Sequence, residues 1–424
     1  MQMNSLKWRE IMVKKTLKEG INLVYLPGDK FKTVYIRMNI YRPMGKEAAK
    51  NALLARVLKA GCKLYNKQQL EKQLESLYGA WLGADVTKSG DVQVISFSIS
   101  LPSDRYTGSD TTLRAAKLLY EVVLNPDAEN GAFKKETVNI EKNNLKSLIE
   151  SVFNDKKEYA QQRCIETMFQ NSAFAIHELG TADELSKINE NNLKEHYDNI
   201  LKNSRIDIFV SGNCDIDAVA RVFDGVKSSA VIPENTADNP QTELKTVMEP
   251  QDVNQGKLMM GFKTDIDTKS RDYYKLLVFN SVYGSGTHSK LFCNVREKLS
   301  LAYYAYARLN RYKSVIFVGS GIEFANYEKA KEEIICQLDK IRKGNVTEFE
   351  LSSAKKSLIN AYKSMEDEPA RIISAKTGNA ILGEEISLPE IVDSIDSVTK
   401  EDVIEMASHV WLDTIYFLKG NENE

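Results

Sequence analysis

The stretch KLFCNVREKLSLAYYAY, residues 290–306, changes character within a few positions. It reads as a helix from Leu291 to about Leu299, then a short Ser300-Leu301 corner, then a strand rich in aromatics. Arg296 lies on the helix, and Tyr303 follows seven residues later at the strand start. A cation and a phenol at such a junction can both point into one cavity. Taken alone, the plainer reading is a surface Arg and a half-buried Tyr, so the surrounding chain has to decide.

Working outward, the same corner recurs in the first half at 75–84. Aligning Leu77 with Leu301 sets VQVISFSIS, 92–100, opposite IFVGSGIE, 316–323. In each half the order is strand, strand, helix, helix, strand, strand, long helix. A repeat of about 200 residues therefore predicts two copies of one α+β domain. Between them, 226–250 (VKSSAVIPENTADNPQTELKTVMEP) holds three prolines and little apolar periodicity, the composition of a linker. The expected division is a first domain at 1–225, a linker at 226–250 and a second domain at 251–424.

Composition narrows the class. The 424 residues are 42% hydrophobic and 27% charged, with 57 basic and 59 acidic side chains and a net charge of -2. That is an ordinary globular balance with no basic footprint for nucleic acid. No run approaches the 18 apolar residues of a spanning helix, and the opening MQMNSLKWREIMVKK lacks the apolar core of a secretory signal. Five scattered cysteines without a CxxC pair suit reduced thiols in a cytoplasmic protein.

Three segments carry a family resemblance. HELGTADELSKINENNLKEHYDNILKNSRIDIFVSGNCD (177–215), LFCNVREKLSLAYYAY (291–306) and the close around VTKEDVIEMASHVW (398–411) stand in the order and spacing of the M16 peptidases. That family includes insulinase, pitrilysin and the mitochondrial processing peptidase. The resemblance implies two LuxS/metalloenzyme-like α/β sandwich domains in tandem, forming half of a clam-shell chamber. It also places Arg296 and Tyr303 on the family's Arg/Tyr pair.

The family's inverted zinc motif, H-x-x-E-H, puts two His on one helix face with a Glu general base between them. The matching segment is NALLARVLKAGC, 51–62, where the His positions are Ala52 and Arg56 and the Glu position is Ala55. The third ligand position, on the long helix, falls on Leu148, with Glu141 on the family's earlier non-ligand Glu. Glu150 sits about 200° around the helix from it, on the wrong face. The four His (177, 196, 288, 409) contain no pair at chelating spacing. The expectation is a chain that binds no metal or other cofactor, zinc being present only in a partner, and that cannot hydrolyse peptides by itself.

What the resemblance implies for such a chain is a complementing subunit. It would pair as a heterodimer with an H-x-x-E-H-bearing M16 subunit, or as a homodimer, and supply Arg296 and Tyr303 to a shared chamber for peptide or unfolded polypeptide. No nucleic-acid or membrane partner is expected. The alternative is a purely structural or peptide-binding M16-like subunit with no part in catalysis.

Overall fold

The computed structural model describes residues 13–18, 20–226, 228, 231–236 and 243–421. The first twelve residues and much of the expected linker lie outside the described residues. The chain divides into two compact units, each a mixed sheet with helices on its faces.

The first unit holds a six-stranded sheet in the order Val13–Lys18, Ile21–Leu26, Ile206–Ser211, Thr33–Pro43, Val92–Pro102, Trp81–Ser89. Strand alternation sets its two faces. Val34, Ile36, Met38 and Ile40, with Ile95, Phe97, Ile99 and Leu101, join one core with the helices Ala48–Lys59 and Thr111–Leu124. The intervening Tyr35, Arg37 and Asn39, with Ser96, Ser98 and Ser100, occupy the opposite face, which is why VQVISFSIS alternates as it does.

The second unit's sheet runs Lys245–Pro250, Val410–Lys419, Gly256–Thr264, Val315–Ile322, Ala302–Asn310. Position by position this matches the first sheet from Ile21–Leu26 onward. The match extends to strand direction: Ile21–Leu26 pairs parallel with Ile206–Ser211, as Lys245–Pro250 does with Val410–Lys419. The repeat expected from sequence is thus present as topology. Its helix layer comes from Asp272–Gly284, Tyr327–Arg342 and Lys400–Ser408, packed on Leu258, Met260, Phe262, Ile316 and Val318.

The units do not follow the two sequence halves. Glu150–His177 belongs to the second unit and Pro369–Ser374 to the first. In the second unit the back of the sheet is apolar, with Met259, Phe317 and Tyr416, and the helix Lys156–Met168 covers it through Ala160, Cys164 and Met168. In the first, Ile373 fills the space among Val24, Leu26, Tyr35 and Phe209, and Arg37 donates to Ser374 Oγ at 3.0 Å. A division drawn at 226–250 misses both, because linker composition marks where the chain runs free and not which sheet face needs cover. The expected linker also contains the edge strand Lys245–Pro250, whose alternate residues are half-buried. An edge strand buries so little that its sequence resembles a loop.

Candidate functional site

The helix Ala48–Lys59 carries the positions where the resemblance would put zinc ligands. Ala52 and Ala55 are each 2% exposed and end in methyl groups. Arg56 turns its guanidinium to Glu141 on the long helix Lys135–Asn154, with Nε 3.1 Å from Oε2. Leu148, two turns further along that helix, is a half-exposed hydrocarbon. These residues do not fit a zinc ion: no donor stands at the three ligand positions Ala52, Arg56 and Leu148, no base stands at Ala55, and a fixed cation already neutralises the nearby carboxylate. Among the described residues no group of three or more His, Cys, Asp or Glu is placed to hold a metal.

Glu141 was visible in the sequence only as a non-ligand Glu. The signal for its role was Arg56 itself, since a guanidinium on a buried helix face needs a carboxylate partner. Arg56→Ala is expected to cost roughly 1–3 kcal/mol in urea unfolding, because Glu141 is left nearly buried without its counter-ion. The range lies below that of a fully buried pair because a third of the Arg56 side chain stays in water. Adding Glu141→Gln should recover most of the loss.

The start of the same helix is held by a buried polar chain. Gln93 Nε2 donates to the carbonyls of Ala48 (3.3 Å) and Glu178 (2.6 Å), so its Oε1 is left to accept from Asn51 Nδ2 at 2.7 Å. Asn51 Oδ1 then takes the Nε2 proton of His196 at 2.7 Å. Burial pushes the His196 imidazole down to about 4 from an ordinary 6.5; Arg42 and Lys50 act in the same direction, and Glu47, 3.3 Å from Nδ1, opposes them. Between those pH values the unfolded chain binds a proton here that the folded chain does not. Stability from this group is therefore complete above about pH 6.5 and falls as the pH drops toward 4. Thermal unfolding of the wild type should show that loss, and His196→Gln should flatten it.

The second unit holds the Arg/Tyr corner. Leu291–Lys298 is a π-helix, a wider coil than the ordinary helix expected from sequence, anchored by the buried Leu291 and Val295. Such segments are rare and often found at functional sites. The Arg296 guanidinium lies over the Phe292 ring, 4.6 Å from its centroid, with Nε 3.6 Å from Glu297 Oε1, and its side chain is 41% exposed. The corner turns at Ser300, whose φ of 51° is left-handed, and Leu301 N–H closes it by donating to Val295 O at 3.0 Å.

Beyond the corner, the register of strand Ala302–Asn310 slips. Ala302 faces Ile322 and Tyr304 faces Gly321, so Tyr303 is the extra residue of a β-bulge. A bulge re-aims the side chain it carries. Tyr304 and Tyr306 lie over Gly321 and Gly319, as sheet-packing aromatics should, whereas Tyr303 stands 61% exposed. Its hydroxyl donates to Glu323 Oε1 at 2.5 Å, and that bond, with the carboxylate charge, raises the phenol's pKa. Glu323 had no signal in the sequence, because the pairing of the two strands that brings it within reach of Tyr303 is not written in either strand alone. Arg296 and Tyr303 thus share one corner of the second unit, while Ala52, Ala55 and Arg56 share one helix of the first.

Residues 187–358 match the family described as peptidase M16 inactive domain. A Bacillus subtilis (strain 168) protein named "Probable inactive metalloprotease YmfF" is 35% identical over 417 residues, which is 96% of this chain and 98% of that one. Among solved structures, a conserved protein from Enterococcus faecalis V583 superposes with a TM-score of 0.92 at 28% identity, covering 97% of this chain and 99% of that one. A peptidase M16 inactive domain from Pseudomonas fluorescens superposes at 0.78 and 18% identity, covering 97% and 98%, a likeness of fold. With zinc-motif positions that cannot ligate, and a relative named inactive along nearly its whole length, the chain belongs to the M16 peptidase family as a homologue of its inactive members.

Proposed function

We propose that this chain is the non-catalytic subunit of a two-chain M16 peptidase in the cytoplasm, contributing Arg296 and Tyr303 to a chamber whose metal chemistry comes from a zinc-bearing partner. The observation that carries this reading is the Tyr303 hydroxyl, carried on a bulge and held in solvent on the strand that follows the helix of an exposed Arg. A residue kept only for packing would lie flat over a glycine, as Tyr304 and Tyr306 do.

In that role Tyr303 donates to the carbonyl oxygen of the scissile peptide as negative charge develops on it. A positioned donor acts where charge appears in the transition state. Arg296, permanently charged, fixes the peptide by its backbone carbonyl or its C-terminal side. The substrate class is peptide or unfolded polypeptide.

The second reading, a structural or peptide-binding subunit, draws on the internal partners of both groups: Arg296 rests on Phe292 and Glu297, and Tyr303 on Glu323. Purification of the tagged chain from its own cells, with mass spectrometry and a peptide-mixture cleavage assay, separates the two. The complementing role expects a co-eluting M16 protein with an intact H-x-x-E-H motif, and cleavage by the complex but not by the chain alone. A chain that elutes by itself, or only with its own copies, would contradict it.

A further inference from the structure

The Tyr303 hydroxyl owns one proton, and in this chain that proton already has an acceptor. Ala302 pairs with Ile322, so the bulged Tyr303 and the next residue on the facing strand, Glu323, flank that pair diagonally at the end of the ladder. Register therefore sets both ends of the 2.5 Å bond. Glu323 is exposed and opens the short 3-10 turn Phe324–Asn326. Among the described residues this is the one hydrogen bond of the Tyr303 hydroxyl. A phenol that gives its proton to a carboxylate turns only lone pairs outward. It can accept from an N–H, but it cannot donate to a carbonyl or an oxyanion.

We propose that Glu323 is a positioning residue that holds Tyr303 out of the donor role in the resting chain, and that a substrate oxygen must displace this carboxylate before Tyr303 can act. This rests on the reading of Tyr303 as a donor to the scissile carbonyl. No covalent step is involved: the proton stays on the phenol oxygen, and only the acceptor it faces changes. The carboxylate thus competes with substrate for a single donor, and removing it should favour the productive arrangement. A hydrogen bond in this setting is worth a factor of a few to about ten.

The test uses the complex purified through the tagged chain and the same peptide mixture, with thermal unfolding as a folding control. Glu323→Ala should raise kcat/KM about two- to tenfold. Glu323→Gln, which keeps a neutral acceptor oxygen, should give a smaller rise. An independent readout needs no partner. In ultraviolet titration of the purified chain, with Tyr303→Phe as the difference reference, the Tyr303 phenol should ionise at lower pH in Glu323→Ala than in wild type.

A drop in rate for Glu323→Ala comparable to that of Tyr303→Phe would overturn the proposal, since the carboxylate would then be helping the phenol. An unchanged rate in Glu323→Ala, or an unchanged phenol titration, would overturn it as well. If Tyr303→Phe leaves the complex fully active, the donor reading beneath the proposal has failed, and the outcomes are told apart by that one variant.

Discussion

Tyr303→Phe is expected to leave assembly with a zinc-bearing partner intact and to cut the complex's peptidase rate about 100-fold or more. The substitution removes one oxygen from a side chain that is 61% exposed, so the fold has little to lose. Its hydroxyl touches Glu323 in solvent, where a hydrogen bond adds little stability. The size of the rate effect is that of deleting one positioned donor from an oxyanion site, two to three orders of magnitude. Matched unfolding curves for the two proteins, beside the rate loss, would separate chemistry from damage. An unchanged rate would make Tyr303 a relic and favour the structural reading.

Gly180→Ala is expected to be the most damaging single methyl in the first unit. Gly180 has φ of 69°, and a Cβ there would lie 2.5 Å from Ala49 N and 2.6 Å from Ala49 Cβ. Ala49 is in the first turn of the helix Ala48–Lys59, and its backbone cannot give way without moving that helix. The loop would also draw Glu178 O away from Gln93, breaking the chain of hydrogen bonds through Asn51 to His196. Left-handed strain and overpacking together should cost roughly 3 kcal/mol or more. Gly79→Ala is the control: its φ is 71° but no atom lies within 4 Å, so only the backbone term of about 1 kcal/mol applies. Unfolding free energies of the two variants from urea titration should differ by about 1 kcal/mol or more.

Gly180 also shows what the sequence could and could not convey. It lies in HELGTADEL, one of the segments that carried the family resemblance, yet nothing in the letters says that it meets Ala49. The repeat was legible because the strand at 92–100, which alternates strongly, and that at 316–323 occur at the same point of each half. The absence of the zinc motif was legible too, since Ala52 and Arg56 exclude coordination, and Ala55 a general base, by residue type alone. The exchange of 150–177 and 369–374 between units was not legible. Helix Lys156–Met168 is mostly polar, and the few residues it buries, Ala160, Cys164 and Met168 among them, acquire meaning only against Met259 and Tyr416. Nor was the partner of Tyr303 legible, because the register of two strands decides which side chains come within reach of it.

At the candidate site, then, sequence spacing located the corner and the structure supplied its geometry. The π-helix, the left-handed Ser300 and the bulge at Tyr303 follow one another within 291–303. Each is a local departure from regular structure, and together they present Arg296 and Tyr303 outward from a sheet whose neighbouring tyrosines lie flat.

Metal analysis of the purified chain, dialysed against micromolar zinc and then desalted, tests most directly whether this is a subunit without catalytic metal. Ala52, Ala55, Arg56 and Leu148 call for substoichiometric zinc and no cleavage of a peptide mixture by the chain alone. One zinc per chain, retained through desalting together with peptide hydrolysis, would contradict that conclusion.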